Sequence, residues 1–381
     1  MTGPDVVASE PLLKVGLIGP LPPPSGGMAN QTRQLARLLA EAGVSVELVQ
    51  VNAPYRPEWM GKVWGLRALF RLLPYLARLW RCAGRVDLFH VMANSGWAWH
   101  LFAAPAVWLA SLRGKPAIIN YRGGEADSFF ATQFHWVKPT LARATAIIVP
   151  SGFLEAVFAK RGVKTETVPN IIDLSRFRPA EARSAQCHLI VTRNLEDIYD
   201  IPTALRAFAL ILKDQPHARL TVAGSGPRLA RLEALCDELQ IAEAVRFTGR
   251  LDNEHMADLY RDADLLLNPS LADNMPISLL EAMASGVPIV STDVGGIPYL
   301  VEHGVSAMLV PPEQPEAMAA SALRVLDDPA LAARLRDAGL ARARRYTWPL
   351  VSERLFAMYV KVLGRQIKPA GGPRPGRLPC E

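Results

Sequence analysis

Cysteine and long hydrophobic runs are both scarce in this chain of 381 residues. None of the four cysteines belongs to a C-x-x-C pair or lies at zinc-ligand spacing, which argues against a disulfide scaffold and a structural zinc site. The longest apolar run, residues 97–112, falls short of the roughly 20 residues that span a bilayer, so it predicts a buried helix. The first residues lack the basic start and apolar stretch of a signal peptide, and we expect a reducing, cytoplasmic location.

Acidic residues are missing between Glu58 and Asp87. Residues 1–180 contain 20 Lys and Arg against 11 Asp and Glu, a net charge of +9, whereas the remaining residues carry −3. Such an asymmetry indicates an anionic partner for the first half of the chain. Because the sequence contains no recognised nucleic-acid-binding motif, we expect a membrane surface and no nucleic acid.

Residues 59–85 are rich in Trp, Leu and Arg and predict an amphipathic helix. At about 100° per residue, the leucines fall on one side and the arginines on the other; the arginines are Arg67, Arg71, Arg78, Arg81 and Arg85. Basic amphipathic helices bind anionic bilayers, which predicts a peripheral attachment to the inner face of the plasma membrane. A helix packed on its own domain with a solvated arginine face would show the same pattern, and Pro74 is predicted to break or kink it.

Strand and helix patterns alternate along the chain. Residues 14–20 (KVGLIGP) predict a strand, a helix runs from Met28 until Gly43 ends it, and VSVELVQV predicts the next strand. The alternation restarts with the strand HLIVTR in the second half. Consecutive strand–helix–strand units imply parallel sheets. The predicted fold is therefore α/β, with two Rossmann-like, doubly wound parallel-sheet domains that face a cleft.

The polar stretch 173–185 is predicted to separate the two domains. We place the first domain at residues 1–180 and the second at residues 181–345. The last residues, 366–381, are basic and rich in Pro and Gly, and they predict a disordered tail.

Gly26 and Gly27 lie between the first predicted strand and the first predicted helix. Because glycine has no side chain, a ligand can approach the backbone closely here. The free N–H groups at a helix start favour an anion. A simple tight turn would require the same two glycines, so the pair alone does not decide between these interpretations.

Residues 273–298 read DNMPISLLEAMASGVPIVSTDVGGIP. Asp273 precedes a predicted helix, and Glu281 lies within that helix. A carboxylate can accept hydrogen bonds from a pair of sugar or ribose hydroxyls, and the first N–H groups of the helix suit phosphate. An N-capping Asp and a solvated Glu would give the same spacing.

Taken together, seven segments resemble the retaining glycosyltransferases of the GT-B fold, glycosyltransferase family 4. Their order and spacing cover nearly all of residues 14–365. The resemblance implies transfer of a sugar from a nucleotide sugar, with retention at the anomeric carbon and no metal or other cofactor. The segments are Gly26–Gly27, PSGFLEAVFAKRG at 150–162, VPNIIDLSRFRP at 168–179, VTRNL at 191–195, VAGSGP at 222–227, FTGRL at 247–251 and the stretch 273–298.

The resemblance also implies residue roles. Arg193 would neutralise the leaving diphosphate, Asp273 would bind a hydroxyl of the donor sugar, and Glu281 would bind the ribose hydroxyls. The donor would bind mainly to the second domain and the acceptor to the first, and residues 346–365 would form a final helix that returns to the first domain. The implied donor-binding residues are Gly26, Gly27, Gly224, Gly249, Leu251, Asn274, Met275, Pro276, Ile277 and Ser278.

Three positions depart from the family pattern. The first carboxylate of the pair is Asp273 where the family has Glu, and Tyr199 stands where the family has a Lys. Residues 121–125 (YRGGE) replace a segment that carries a His, so Arg122 and Glu125 are predicted on the acceptor side. Arg193 would then carry the leaving-group charge alone, or with help from Arg228.

The sequence predicts an enzyme, a hexosyltransferase of class EC 2.4. Its donor would be a UDP- or GDP-sugar and its acceptor a glycan or a lipid-linked glycan, in surface or extracellular polysaccharide or glycolipid synthesis. The departures at Tyr199 and at residues 121–125 also allow a non-catalytic relative that binds nucleotide sugars or assembles partner enzymes.

Overall fold

The computed structural model describes residues 13–23, 26–53, 67–181 and 186–365. Within these ranges the chain forms two compact units. The first unit takes its described residues from 1–123, 127–148 and 353–381, and the second takes them from 124–126 and 149–352. The predicted tail at 366–381 and the start of the predicted helix at 59–66 lie outside the described residues.

The first sheet has six strands among the described residues, in the order β2-β1-β3-β4-β5-β6. The pairings from β2 to β5 are all parallel. Apolar residues run through β1 and β3 without alternation, and both strands are buried almost throughout because helices cover a parallel sheet on both faces. The strands are β1 (Lys14–Gly19), β2 (Ser45–Gln50), β3 (Leu88–Ala93), β4 (Ala117–Tyr121), β5 (Ala146–Val149) and β6 (Glu166–Thr167).

The second sheet also has six strands in the described part of the chain, in the order β12-β11-β10-β7-β8-β9. Its pairings are parallel as well, which confirms the predicted α/β fold of two doubly wound halves. The strands are β7 (His188–Val191), β8 (Arg219–Ala223), β9 (Val245–Gly249), β10 (Leu265–Asn268), β11 (Ile289–Thr292) and β12 (Met308–Val310).

Helices connect the strands. The first helix buries Leu35, Leu38 and Leu39 and gives way to a turn in which Gly43 has a φ of 80°, as the sequence predicts. The helices are α1 (Gly27–Glu41), α2 (Arg67–Ala83), α3 (Ala104–Leu112), α4 (Ala126–Leu141), α5 (Gly152–Ala159), α6 (Ile201–Asp214), α7 (Leu229–Glu238), α8 (Asn253–Asp262), α9 (Ile277–Ala284), α10 (Ile297–Leu300), α11 (Pro315–Asp327), α12 (Pro329–Ala343) and α13 (Trp348–Leu363).

The division into units differs from the predicted limits at residues 180 and 345. Residues 149–180 belong to the second unit because their polar side chains contact it. Ser151 hydrogen bonds to Asn274, and the Asn170 side chain donates to the Met275 carbonyl over 2.8 Å. At the other end, the chain joins the first unit from Glu353 onwards, within α13.

The prediction of a buried helix at residues 97–112 is wrong in part. A π-helical turn at Trp99–Ala103 precedes α3, so the segment is not one regular helix. Trp99, Ala106 and Ala110 are buried, but Trp97, Trp108 and Leu112 are exposed. No helix within the described ranges is both long and apolar enough to cross a bilayer.

Helix α2 differs from the predicted separation of leucines and arginines. Pro74 lies inside one continuous helix, so the helix does not break there. Leu79 is buried, whereas Leu73 and Trp80 share the exposed side with Arg78 and Arg81. The exposed side of α2 therefore combines apolar and basic side chains. Arg71 is half-buried, and Arg85, which lies two residues beyond the helix, forms an ion pair with Glu47.

Candidate functional site

Three loops of the second unit leave the same edge of its sheet. Strand β10 pairs in parallel with both β7 and β11, so the residues that follow these strands emerge side by side. Arg193 follows β7, Asp273 follows β10, and the pair Gly295–Gly296 follows β11. The carboxyl edge of a parallel sheet is where ligands of such folds bind.

Arg193 is the centre of this cluster. Its Nη2 donates to Oδ2 of Asp273 in an ion pair, and its Nε donates to Oδ1 of Asn268 over 2.8 Å. The exposed fractions of the two charged side chains are 11% for Arg193 and 14% for Asp273, so the pair is strongly desolvated. Asn268 was not predicted from the sequence, and its own amide donates to Ser291 over 2.8 Å. Two of the three predicted catalytic residues are therefore in direct contact.

The glycine pair lets the Asp273 loop approach the backbone after β11. The Gly296 amide donates to the Asp273 carbonyl over 2.9 Å. A Cβ on Gly296 would overlap the Asn274 carbonyl oxygen, and one on Gly295, which has a φ of 55°, would overlap that of Asp273. The pair Gly295–Gly296 can be read from the sequence, but the sequence alone does not indicate which loop packs against it.

Residues 274–278 lead from Asp273 into α9. Pro276 is the N-cap residue, and its side chain cannot cap the first N–H groups of the helix. Asn274, Met275 and Ser278 are buried, and the Ser278 hydroxyl has no hydrogen-bond partner among the described residues. Uncapped N–H groups and a buried hydroxyl are donors that suit an anionic ligand. Ile277, also predicted to bind the donor, is half-buried at the start of the helix.

Glu281 lies in the second turn of α9. Burial raises the pKa of its carboxyl to about 7, although a hydrogen bond to Tyr260 and the charge of Arg193 act in the opposite direction. The Tyr260 hydroxyl lies 2.7 Å from the Thr192 hydroxyl and 3.1 Å from the Ser278 carbonyl, and sequence reasoning missed it. Glu281 therefore belongs to the same electrostatic cluster as Arg193 and Asp273.

The remaining predicted donor residues of the second unit follow β8 and β9. A Cβ on Gly224 would overlap the Arg193 carbonyl, so this glycine has a packing reason to be there. Gly249 ends β9 with a φ of 67° and with open space around it, and Leu251 follows half-buried. Arg228, considered as a helper of Arg193, is instead paired with Asp197.

In the first unit, Gly26 is the N-cap of α1 and Gly27 is its first residue. Apart from the chain neighbours and the helix's own backbone, no described atom lies within 4 Å of a Cβ built on either glycine, and Gly26 has no side chain to cap the helix. Glu125, which belongs to the second unit, is exposed just before α4. Among the described residues, no group of three His, Cys, Asp or Glu side chains is placed to hold a metal ion.

Arg122 ends a buried chain of hydrogen bonds in the first unit. His90 on β3 lies 2.8 Å from the Tyr359 hydroxyl of α13 and 2.9 Å from the Asn120 amide of β4. The Arg122 Nε donates to the Asn120 Oδ1 over 3.0 Å, and its Nη1 donates to Gln31 of α1 over 3.4 Å. His90, Asn120 and Tyr359 are at most 1% exposed, so all three belong to the core of the first unit.

The hydrogen bonds that link Tyr359, His90, Asn120 and Arg122 allow one consistent assignment of donors and acceptors. A guanidinium only donates, so the oxygen of Asn120 faces Arg122 and its NH₂ group faces Nε2 of His90. The imidazole therefore carries its proton on Nδ1 and donates it to Tyr359. Burial lowers the pKa of His90 to about 3, which keeps the ring neutral. Burial also lowers the pKa of Arg122, to about 10.

Two family models match the chain, one in each half. Residues 25–176 match the model described as Glycosyltransferase Family 4, and residues 178–342 match the model described as Glycosyl transferases group 1. The matches confirm the resemblance to glycosyltransferase family 4, whereas retention at the anomeric carbon stays a prediction.

Relatives and solved structures agree with these matches. A D-inositol 3-phosphate glycosyltransferase of Thermobispora bispora is 34% identical over 212 residues, which are 51% of this chain and 50% of that relative, so the chain spans about half of its length. A phosphatidyl-myo-inositol mannosyltransferase of Mycolicibacterium smegmatis is 25% identical over 90% of this chain and 92% of its own. The structure of Anabaena HepE in complex with UDP-glucose has a TM-score of 0.71 at 16% identity, covering 92% of this chain and all of that one, and it supports the GT-B fold.

We expect Gly296→Ala to destabilise the second unit by about 2–3 kcal/mol, because the new methyl group must displace the Asn274 carbonyl. Urea unfolding measures the loss. Gly84→Ala is the control, since its Cβ would make an ordinary 3.5 Å contact with the Arg81 carbonyl. Equal stability of the two variants would contradict the close approach of the loops.

The raised pKa of Glu281 predicts a pH-dependent stability. Between the ordinary pKa of 4.5 and about 7, the folded protein holds a proton that the unfolded chain has lost. The free energy of unfolding therefore falls as pH rises through this window, by about 3 kcal/mol at most, and is unaffected by Glu281 below it. Unfolding curves from pH 4 to pH 8 should show this fall in the wild type and not in Glu281→Gln. Parallel profiles of the two proteins would refute the shift.

Proposed function

We propose that this chain, which carries a Glycosyltransferase Family 4 domain followed by a glycosyl transferases group 1 domain, transfers a sugar from a nucleotide sugar to a glycan or a lipid-linked acceptor. The observation that carries the proposal is the contact between Arg193 and Asp273 at the carboxyl edge of the second sheet, beside the uncapped start of α9. A cation and free N–H groups at one edge are suited to a diphosphate, and the neighbouring carboxylates are suited to hydroxyls.

In the proposed reaction, the bond between the anomeric carbon and the diphosphate oxygen breaks while Arg193 stabilises the charge that develops on the diphosphate. Asp273 holds a hydroxyl of the donor sugar, and Glu281 holds the ribose hydroxyls. The acceptor oxygen bonds to the anomeric carbon on the face that the diphosphate leaves, which retains the configuration. The leaving phosphate takes the acceptor proton, so we assign no protein nucleophile and no metal.

The donor is a UDP- or GDP-sugar in this proposal. The HepE structure is a complex with UDP-glucose, and the names of the two relatives above combine glycosyl or mannosyl transfer with an inositol-containing compound. By analogy, we propose an acceptor that belongs to glycolipid or surface polysaccharide synthesis. Gly26 and Gly27 contact the donor in the proposed complex, and Arg122 and Glu125 lie on the acceptor side.

A membrane surface is the proposed partner of the first unit, at the cytoplasmic face. The connections β2–α2–β3, β3–α3–β4 and β4–α4–β5 run in one direction across the sheet, so right-handed crossovers place α2, α3 and α4 on the same face. Trp80, Trp108 and Trp136 each lie exposed on one of these helices. Arg113 stacks on Trp80 at 4.4 Å from the ring centroid, and Arg143 stacks on Trp108 at 3.5 Å.

Tryptophan and arginine together are suited to the interface of an anionic bilayer, since the indole rings enter the headgroup layer while the guanidinium groups meet phosphates. The structure thus changes the basis of the membrane proposal. In place of an arginine side of α2 alone, the proposal rests on a surface of three helices, here called the tryptophan face: Leu73, Arg78, Trp80, Arg81, Trp108, Leu112, Arg113, Trp136 and Arg143.

The proposed chemistry predicts unequal effects for two arginines. Arg193→Gln should lower kcat about 100- to 1,000-fold because it removes the charge beside the leaving group. Arg228→Gln, which breaks an exposed pair with Asp197, should change kcat less than about threefold. Melting curves with UDP, GDP, ADP and their common sugars first select the donor, and release of labelled nucleoside diphosphate then measures turnover.

Wild-type turnover in Arg193→Gln would refute the site. If the wild type binds a nucleotide sugar but neither transfers nor hydrolyses it with any acceptor offered, the alternative of a non-catalytic binding partner is correct. The departures at Tyr199 and residues 121–125 are the observations that favour this alternative.

Membrane attachment predicts that the protein sediments with vesicles that contain phosphatidylglycerol and is released by high salt. Arg78→Glu/Arg81→Glu should weaken binding at least about tenfold, because each basic residue near an anionic surface contributes about 1 kcal/mol. The matched control is Arg324→Glu/Arg334→Glu, which reverses two exposed charges of the second unit. Binding to neutral vesicles alone, or equal losses in the two double variants, would refute the tryptophan face.

A further inference from the structure

Tyr199 occupies a specific place against the cation of the candidate site. It ends the short helical turn Asp197–Tyr199 that follows the Arg193 loop, and its half-buried ring packs against the core of the second unit. The Arg193 guanidinium carbon lies 5.0 Å from the centroid of this ring. The turn is also joined to the Asp273 loop, because the Leu271 amide donates to the Ile198 carbonyl over 2.9 Å.

Three separate elements therefore fix the Arg193 guanidinium. Asn268, at the end of β10, accepts from Nε, and Asp273 pairs with Nη2. The Tyr199 ring lies against the guanidinium itself, where an aromatic ring attracts a cation through its quadrupole. Because the ring also packs against the core, it limits how far the guanidinium can turn away.

Tyr199 orients the Arg193 guanidinium and adds no charge of its own to the site. Burial raises the pKa of the phenol above its ordinary value, so the side chain is neutral in the working range of pH. The related enzymes that the motifs resemble have a Lys near this position, which would bring a second positive charge. Without that second charge, the orientation of Arg193 towards the diphosphate matters more than it would in a site with a Lys beside it.

We propose that Tyr199 is a positioning residue of the sugar transfer, whose ring holds the Arg193 guanidinium where the leaving diphosphate meets it. This inference rests on the proposed function. When the diphosphate binds, it competes with Asp273 for the same guanidinium. The ring keeps Arg193 in place during this exchange, and the Asp273 carboxylate becomes available to the donor sugar.

The test compares three variants. Tyr199→Phe keeps the ring and should stay within about twofold of the wild-type kcat, whereas Tyr199→Leu keeps an apolar side chain without a π face and should lose about tenfold or more. The loss should fall on kcat more than on KM for the donor, because charge on the diphosphate develops in the transition state. Phe208→Leu is the control, since Phe208 is a fully buried aromatic residue of the same core that lies on α6, outside the loops that carry Arg193 and Asp273.

Two further measurements separate this proposal from the proposed function. The Nε–H resonance of Arg193, assigned with Arg193→Lys, should lose its ring-current shift in Tyr199→Leu and keep it in Phe208→Leu. Calorimetry should show that Tyr199→Leu weakens binding of the nucleoside diphosphate and leaves binding of the nucleoside alone unchanged.

An unchanged resonance and unchanged diphosphate affinity in Tyr199→Leu would overturn the positioning role, whatever the turnover. An equal loss of kcat in Phe208→Leu would overturn it too, because the effect would then come from general packing. If the wild type binds the diphosphate and no donor is ever turned over, the proposed function fails, and the diphosphate affinities of the variants still decide the role of Tyr199.

Discussion

The buried positive charge of Arg193 is the constraint on which the polar cluster at the carboxyl edge of the second sheet depends. Removing a guanidinium from water costs several kcal/mol unless partners replace the lost hydration, and at Arg193 these partners are Asp273, Asn268 and the Tyr199 ring. They come from three segments, so the loops after β7 and β10 must close on one another. Gly224 and Gly296 make the closure possible, because a side chain at either position would overlap a carbonyl of these loops.

The sequence predicts those parts of this arrangement that depend on the residue pattern within a single segment. The alternation of apolar strands and amphipathic helices predicts two parallel sheets, and the stretch 273–298 predicts a loop that carries Asp273 before a helix with Glu281. Asn268, Tyr260 and Asn170 could not be found in the same way. Each is an ordinary polar residue in its own segment, and its role arises only when the topology brings a distant loop into hydrogen-bond distance.

The first unit shows where periodicity misleads. A hydrophobic pattern predicts which side of a helix is apolar, but it does not predict which side meets the sheet. In α2, Leu79 and Tyr75 face the core, whereas Leu73 and Trp80 remain at the surface among arginines. The prediction of a buried helix at residues 97–112 was wrong in part for a related reason. This segment is apolar nearly throughout, so its sequence does not indicate which side of the helix faces the core. The partners of the buried His90 likewise come from distant segments, Asn120 from β4 and Tyr359 from α13.

The contact between His90 and Tyr359 has a consequence for the order in which the molecule is completed. Tyr359 lies in the part of α13 that belongs to the first unit, and the ribosome makes this part after every residue of the second unit. The first unit thus emerges first but cannot close its central hydrogen-bond chain until the second unit has been synthesised. During translation, His90 on β3 therefore lacks one of its two partners until the chain beyond the second unit has been made, whereas the second unit already has all of its strands.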